Sequence, residues 1–143
     1  MTVKTILAAK GGSVVSIEPT ADLAAAAKLM VAHRIGAVVI CGPDRRVVGI
    51  LSERDIVRAL AERGPNALQE TVGQVMTRNV VTCGEDETVS GIMERMTAGK
   101  FRHMPVLVAG RLAGIVSIGD VVKVRVGEME AESAALRDYI RTA

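Results

Sequence analysis

The sequence predicts an α/β (α+β) fold in which two β-α-β-β-α units, related by a pseudo-twofold axis, pack sheet to sheet and are followed by an extended C-terminal helix. Three observations carry this expectation. Gly49-Ile50-Leu51-Ser52-Glu53-Arg54-Asp55 returns as Gly114-Ile115-Val116-Ser117-Ile118-Gly119-Asp120, and the segments before each copy also align, which marks an internal repeat. Both copies follow a β-branched run and lead into a helical pattern, so each reads as a strand running into a helix start. Finally, the 143 residues are 49% hydrophobic with Phe101 and Tyr139 as the only aromatics, enough for an aliphatic core in one compact domain or two small units. A unit of about 60 residues is too small to cover both faces of a three-stranded sheet, so the two are expected to share one core.

Taken in order, Thr2-Val3 aligns with Thr71-Val72, each opening a short apolar helical turn, Ile6-Leu7 and Val75-Met76. The loop Ala9-Lys10-Gly11-Gly12-Ser13 is longer than its counterpart Arg78-Asn79. Val14 to Ile17 and Val80 to Cys83 then match as strands, with Ser16 facing the same way as Thr82. Turn and cap residues, Glu18 to Asp22 and Gly84 to Thr88, open amphipathic helices over Leu23 to Ala32 and Val89 to Ala98. Leu23, Ala26, Ala27 and Met30 share one face, as do Val89, Ile92, Met93 and Met96; methionine at this spacing fills a core. A basic start followed by a strand comes next, Arg34 to Ile40 and Lys100 to Val106. After turns at Gly42-Pro43-Asp44 and Ala109-Gly110, the last strands are Val47 to Leu51 and Leu112 to Val116. Helices follow over Ile56 to Arg63 and from Val121 onward. Gly64-Pro65-Asn66 punctuates the join, giving one unit over 1–64, a second over 65–126 and a helical extension over 127–143.

In the last segment, Val121 to Ile140, Val122, Val126, Met129, Ser133, Leu136 and Ile140 recur at alternating steps of four and three, a heptad-like seam with one polar interruption, weakened by Gly127. It packs either on its own domain or, as we expect, between chains.

Charge and composition exclude several classes. Eighteen basic against 16 acidic residues leave +2, far from the one-sided charge of a dedicated nucleic-acid binder, and the lack of aromatics removes the platforms that stack bases. No apolar run reaches the roughly 18 residues needed to span a bilayer, and none follows the N-terminal charge as in a secretory signal, so a cytoplasmic protein is expected. Cys41 and Cys83 lack Cys-x-x-Cys spacing and read as buried thiols. No nucleophile with a base, no carboxylate pair and no metal-ligand cluster has persuasive spacing, so catalysis is not expected.

The two junctions remain. A helix N-terminus presents unpaired N–H groups that suit an anion, a serine hydroxyl there adds a donor, and a carboxylate three residues on accepts hydroxyl protons such as those of a ribose. The same Ser-x-x-Asp spacing is a helix cap worth roughly 1 kcal/mol without any ligand, and cap and site are compatible. What favours a ligand is the duplication and the glycine three residues before each serine, where close backbone approach is possible.

The repeat, its order of elements and the two Gly-h-x-h-Ser-x-x-Asp junctions (h, hydrophobic) resemble a tandem pair of CBS (cystathionine β-synthase-type) domains, the Bateman module, over residues 2 to about 126. The resemblance implies a stand-alone sensor that binds AMP, ADP, ATP, NAD(H) or, less often, S-adenosylmethionine in a cleft between the units. It further implies a homodimer acting on a separate, unidentified protein. By the same resemblance Asp55 and Asp120 hold ribose and Ser52 and Ser117 meet phosphate. Ser16, Gly36, Ala37 and Val38 would line one adenine pocket, and Thr82, Arg102, Met104 and Pro105 the other. His103, beside Arg102, suits a phosphate tail or is a surface basic pair; Arg54 meets a ligand or a surface acid. His33 and Arg45-Arg46 read as solvated surface groups. The competing reading is a structural dimerisation module without a nucleotide ligand.

Overall fold

The structure, a computed structural model, describes residues 1–11 and 14–142; Gly12 and Ser13 of the long loop and Ala143 of the extension lie outside them. The chain runs α1 (Val3–Lys10), β1 (Ser16–Ile17), α2 (Leu23–His33), β2 (Ala37–Cys41), β3 (Val47–Ser52), α3 (Glu53–Arg63), α4 (Val72–Val75), α5 (Val89–Gly99), β4 (His103–Val108), β5 (Arg111–Ser117) and α6 (Ile118–Thr142). Asp22 caps α2 by accepting from Ala25 N–H at 2.8 Å, and Thr88 caps α5 through Gly91 N–H at 3.1 Å. Arg34 and Lys100, equivalent in the repeat, end those helices in the left-handed region at φ 54° and 56°. The turn this makes sends the chain back along the helix into β2 and β4.

Two small sheets result. In the first, β1 runs parallel to β2, and β2 pairs antiparallel with β3, Val38 opposite Leu51. The second has β4 antiparallel to β5, Met104 opposite Val116. Its expected third strand shrinks to one parallel bridge, Cys83 to Val106. The first strand of each repeat is shorter than its pattern suggests, because Val14, Val15, Val80 and Val81 leave the sheets and line the cleft.

The two units do not share a single core. One buried cluster gathers Leu23, Ala26, Met30, Val38, Ile40, Leu51 and Ile56 with Ala67, Val72 and Met76; the other gathers Met96, Met104, Val106, Val116 and Val121 with Val3 and Ile6. Each small core is completed by a short helix from the other side of the repeat, α1 entering the second and α4 the first. Backbone hydrogen bonds tie down both exchanges, Val3 N–H to Glu87 O at 2.9 Å and Val72 N–H to Ala21 O at 2.7 Å. Crossing helices bury apolar surface that neither unit of this size covers alone.

The exchange also accounts for the two motif glycines. A Cβ on Gly49 would run into the Met76 side chain and the Thr77 carbonyl, and one on Gly114 into Leu7. The close approach that favoured a ligand in the sequence is made by the protein itself.

Helix α6 begins directly after Ser117 and spans 25 residues. Val121 is its one fully buried residue, and every position from 131 to 142 is exposed.

Candidate functional site

Between the units lie two cavities, one bordered by the Ser52 to Asp55 junction and the other by Ser117 of the second junction. The larger, about 510 Å³, is bounded by Ser52, Glu53, Arg54 and Asp55 from the start of α3, by Thr77 and Asn79 to Val81, and by Lys100 to His103. The smaller, about 350 Å³, has Ser117 with Ile115, Lys10, Val14, Val15 and Arg34. Gly36, Ala37 and His103 border both and form the wall between them. Such volumes suit a small-molecule ligand. Each cavity combines the junction of one repeat with the chain that follows the exchanged helix of the other.

The junctions are built alike. Glu53 N–H bonds Gly36 O at 2.9 Å and Ile118 N–H bonds Arg102 O at 2.8 Å, so each helix start is fixed to the strand-entry segment of its own unit. In the first, Asp55 Oδ2 accepts from Ser52 N–H at 2.9 Å and from the Ser52 hydroxyl at 3.1 Å, while Ser52 Oγ accepts from Asp55 N–H at 3.2 Å. In the second, Asp120 Oδ2 accepts from Ser117 N–H at 2.9 Å and Ser117 Oγ accepts from Asp120 N–H at 3.2 Å. The helix cap is therefore made at both junctions. It occupies one carboxylate oxygen of each aspartate and leaves the other free of a direct hydrogen bond among the described residues; Asp55 Oδ1 has only Arg58, at 3.7 Å.

A difference that the repeat alignment conceals lies at Lys10. Its ammonium donates to Asp120 Oδ2 at 2.8 Å and to Ile115 O at 2.9 Å. Asn79 holds the equivalent position and makes no such bond to Asp55. Burial pushes the Asp120 carboxyl up, but hydrogen bonds from Lys10 and Ser117 outweigh it and hold the group below the ordinary aspartate value. His103 is lowered, first by burial and then by Lys10 and Arg102, against the opposing pull of Asp120 and Glu53. The imidazole thus stands between an acid of each junction. Arg54 borders the larger cavity and, among the described residues, pairs with no carboxylate.

Of the residues singled out in the sequence, Gly36, Ala37, Ser52, Arg54, Asp55, Arg102, His103 and Ser117 border the cavities, and Asp120 adjoins the smaller through Lys10. Val38 and Met104 are fully buried in the two cores, and Pro105 is buried beside Met104. Ser16 lies in a separate depression with Cys41 and Arg45, and Thr82 spends its carbonyl on Arg95 at 2.7 Å. The alternation assumed for the first strands fails here because the chain is not extended in a sheet before Ser16. Arg45 is not merely solvated: its Nε reaches Leu112 O of the other unit at 3.3 Å. Cys83 is buried, which raises its thiol to about 11, and Cys41 is partly buried; both are free. Lys10, Glu53, Asn79 and Lys100 also border the cavities, and of these Lys100 carries a signal in the repeat, since it and Arg34 stand at matching positions after a helix.

A pseudosymmetric pair of small α+β units that exchange helices around a two-chambered cleft is a defined class of protein. Its family model, CBS domain, matches this sequence twice, over residues 7–62 and 72–127, and the chain belongs to the CBS domain family. The CBS-domain protein Atu1752 of Agrobacterium tumefaciens superposes with a TM-score of 0.83 at 50% identity, over 87% of this chain and 99% of that one. The CBS pair of protein MJ0100, solved with 5′-methylthioadenosine and S-adenosyl-L-methionine, gives 0.80 at 29% identity, over 90% and 98%. The CBS domain protein PAE2072 of Pyrobaculum aerophilum, solved with AMP, gives 0.75 at 27% identity, over 84% and 89%. In sequence the chain is 38% identical over 108 residues to an uncharacterized 17.7 kDa protein of Acidianus ambivalens, covering 75% of this chain and 64% of that relative. It thus spans less than two thirds of the length of the first curated relatives it matches. No helix among the described residues is long and apolar enough to cross a membrane.

Proposed function

We propose that this chain is a cytoplasmic, homodimeric regulatory module that binds an adenine nucleotide, AMP, ADP, ATP or NAD(H), in the cleft between its CBS units and signals occupancy to a separate protein. The observation that carries the reading is the pair of junctions, each with a serine bordering a cavity at a helix N-terminus and an aspartate that keeps one carboxylate oxygen free of hydrogen bonds among the described residues. Asp55 and Asp120 accept the ribose hydroxyls. Ser52 and Ser117, with the N-terminal N–H groups of α3 and α6, face phosphate, assisted by Arg54, Arg102 and His103 in the larger cavity. Adenine lies against Gly36 and Ala37 and against the valines that leave the sheets. The adenosine compounds bound to MJ0100 and the AMP bound to PAE2072 support this chemistry. Bound ligand bridges both units, so it favours one relative arrangement and biases the surface offered to a partner. The module performs no catalysis of its own.

A thermal-shift panel of AMP, ADP, ATP, NAD, NADH and S-adenosylmethionine, with GTP as control, tests this, since a ligand specific for the folded state raises the melting temperature by mass action. Stabilisation by adenine compounds and not by GTP supports the reading. No shift at millimolar ligand would leave the junctions as helix caps and the protein as a structural module.

A further inference from the structure

The last half of α6 buries no residue among the described residues. All residues from 131 to 142 are exposed, and the exposure of the seam rises along the helix, Val126 at 46%, Leu136 at 60% and Ile140 at 65%. A dozen helical residues without packing are marginal in water, and a helix needs a partner for its apolar stripe. Early in α6 the partly or fully buried residues are Ile118, Asp120, Val121, Val124, Arg125 and Glu128, so Val122, Val126 and Met129 lie on a more exposed flank of the helix. This placement favours packing of the seam between chains over packing at home.

We infer that α6 pairs with α6 of a second copy of this chain as a parallel, in-register, two-stranded coiled coil. The steps along the seam place Val126, Ser133 and Ile140 at heptad position a and Val122, Met129 and Leu136 at d. The flanking g and e residues then choose the orientation. In a parallel pair each g residue faces the e residue five positions on in the second helix: Arg125 meets Glu130, and Glu132 meets Arg137, two opposite-charge pairs on each side. In the antiparallel pair that keeps the whole seam in contact, Glu130 meets its own copy, Glu132 meets its own copy, and Lys123 meets Arg137, all like charges. Ser133 occupies the central a layer, where a polar residue penalises slipped registers. Gly127 falls on the outer surface with open space around it, so it loosens the helix without spoiling the seam. The inference is independent of the nucleotide reading.

Two experiments decide it. Sedimentation equilibrium of the full chain is expected to show a dimer, and Met129→Glu with Leu136→Glu to raise its dissociation constant at least 100-fold while the cooperative thermal transition of the two cores is kept and only ellipticity from the unpaired end of α6 is lost. Glu130→Arg sets Arg125 against arginine and is expected to weaken the dimer, and adding Arg125→Glu to restore it. A monomer at all concentrations, or a dimer indifferent to these changes, overturns the inference, the second result placing the interface elsewhere. Orientation is read by Ser133→Cys: mild oxidation is expected to cross-link it within the dimer on a non-reducing gel, with the wild type, which keeps Cys41 and Cys83, as control. A dimer lost in the Met129/Leu136 variant yet without the Ser133→Cys cross-link overturns the parallel arrangement.

Discussion

At Gly49 an added methyl group meets backbone as well as side chain, whereas at Gly114 it meets only the flexible end of Leu7. Gly49→Ala is therefore expected to cost about 1–3 kcal/mol by overpacking and Gly114→Ala distinctly less, as chemical denaturation would measure. Asp55→Ala acts twice. It removes the capping interactions at the start of α3, about 1 kcal/mol, and under the proposed function it also abolishes ribose binding, whereas Ser52→Ala lowers stability by a similar amount with a smaller loss of affinity. Lys10 gives a pH test. Because the folded Asp120 carboxyl lies below its unfolded value, its contribution is present above the unfolded carboxyl range and is lost as pH falls through the folded value. With Lys10 37% exposed, solvent screening limits the pair to about 0.5–1 kcal/mol. Lys10→Met is expected to narrow the difference in melting temperature between pH 7 and pH 3. His103 titrates in the opposite charge sense with the same sign for stability: its lowered value means stability falls as pH drops below the ordinary imidazole range. If phosphate lies beside it, nucleotide affinity rises on going from pH 8 to pH 6, and His103→Gln removes that dependence. These residues also show what the sequence discloses. Ser52, Asp55, Ser117 and Asp120 are legible as helix caps from spacing alone, because a serine and an acid three residues on make the reciprocal hydrogen bonds of a cap. Lys10 was not, because nothing local to it signals a contact 110 positions away.

At the scale of elements, the amphipathic helices α2 and α5 follow their apolar spacing closely, with Leu23, Ala26 and Met30 and then Val89, Ile92 and Met96 buried as the 3.6-residue period requires. The first strands do not. Four-residue runs of β-branched and small polar residues satisfy a strand pattern, yet pairing ends where the chain must turn into the cleft, and composition does not mark that point. Helix α6 offers a simple check of its intrinsic strength. Gly127 has open space for a methyl group, so Gly127→Ala is expected to stabilise the helix by about 1 kcal/mol, seen as higher ellipticity and tighter self-association. Helix α1 tests the exchange: removal of residues 1–10 takes Val3 and Ile6 from the second core. Hydrogen exchange should then accelerate in β4 and β5 while β2 and β3 keep their protection.

For the whole molecule, the repeat in the sequence announced two units, but the internal alignment assigns α1 to the first and α4 to the second, whereas the folded cores hold them the other way round. Linear similarity records descent from a common unit; it does not record which copy supplies the side chain that fills a gap. Since each core is incomplete without the other half, the two units should unfold in one cooperative transition, and Leu23→Ala, removing a fully buried leucine at about 2–5 kcal/mol, should lower a single melting temperature without splitting it. The exchange also orders events on the ribosome. Val3 and Ile6 are made more than seventy positions before the residues they pack against, from Cys83 to Val121. Over that interval the nascent chain carries an uncovered apolar helix, which is made early within this pair of units and is among the last of their parts to find its place, a long exposure that makes it a natural client for a chaperone.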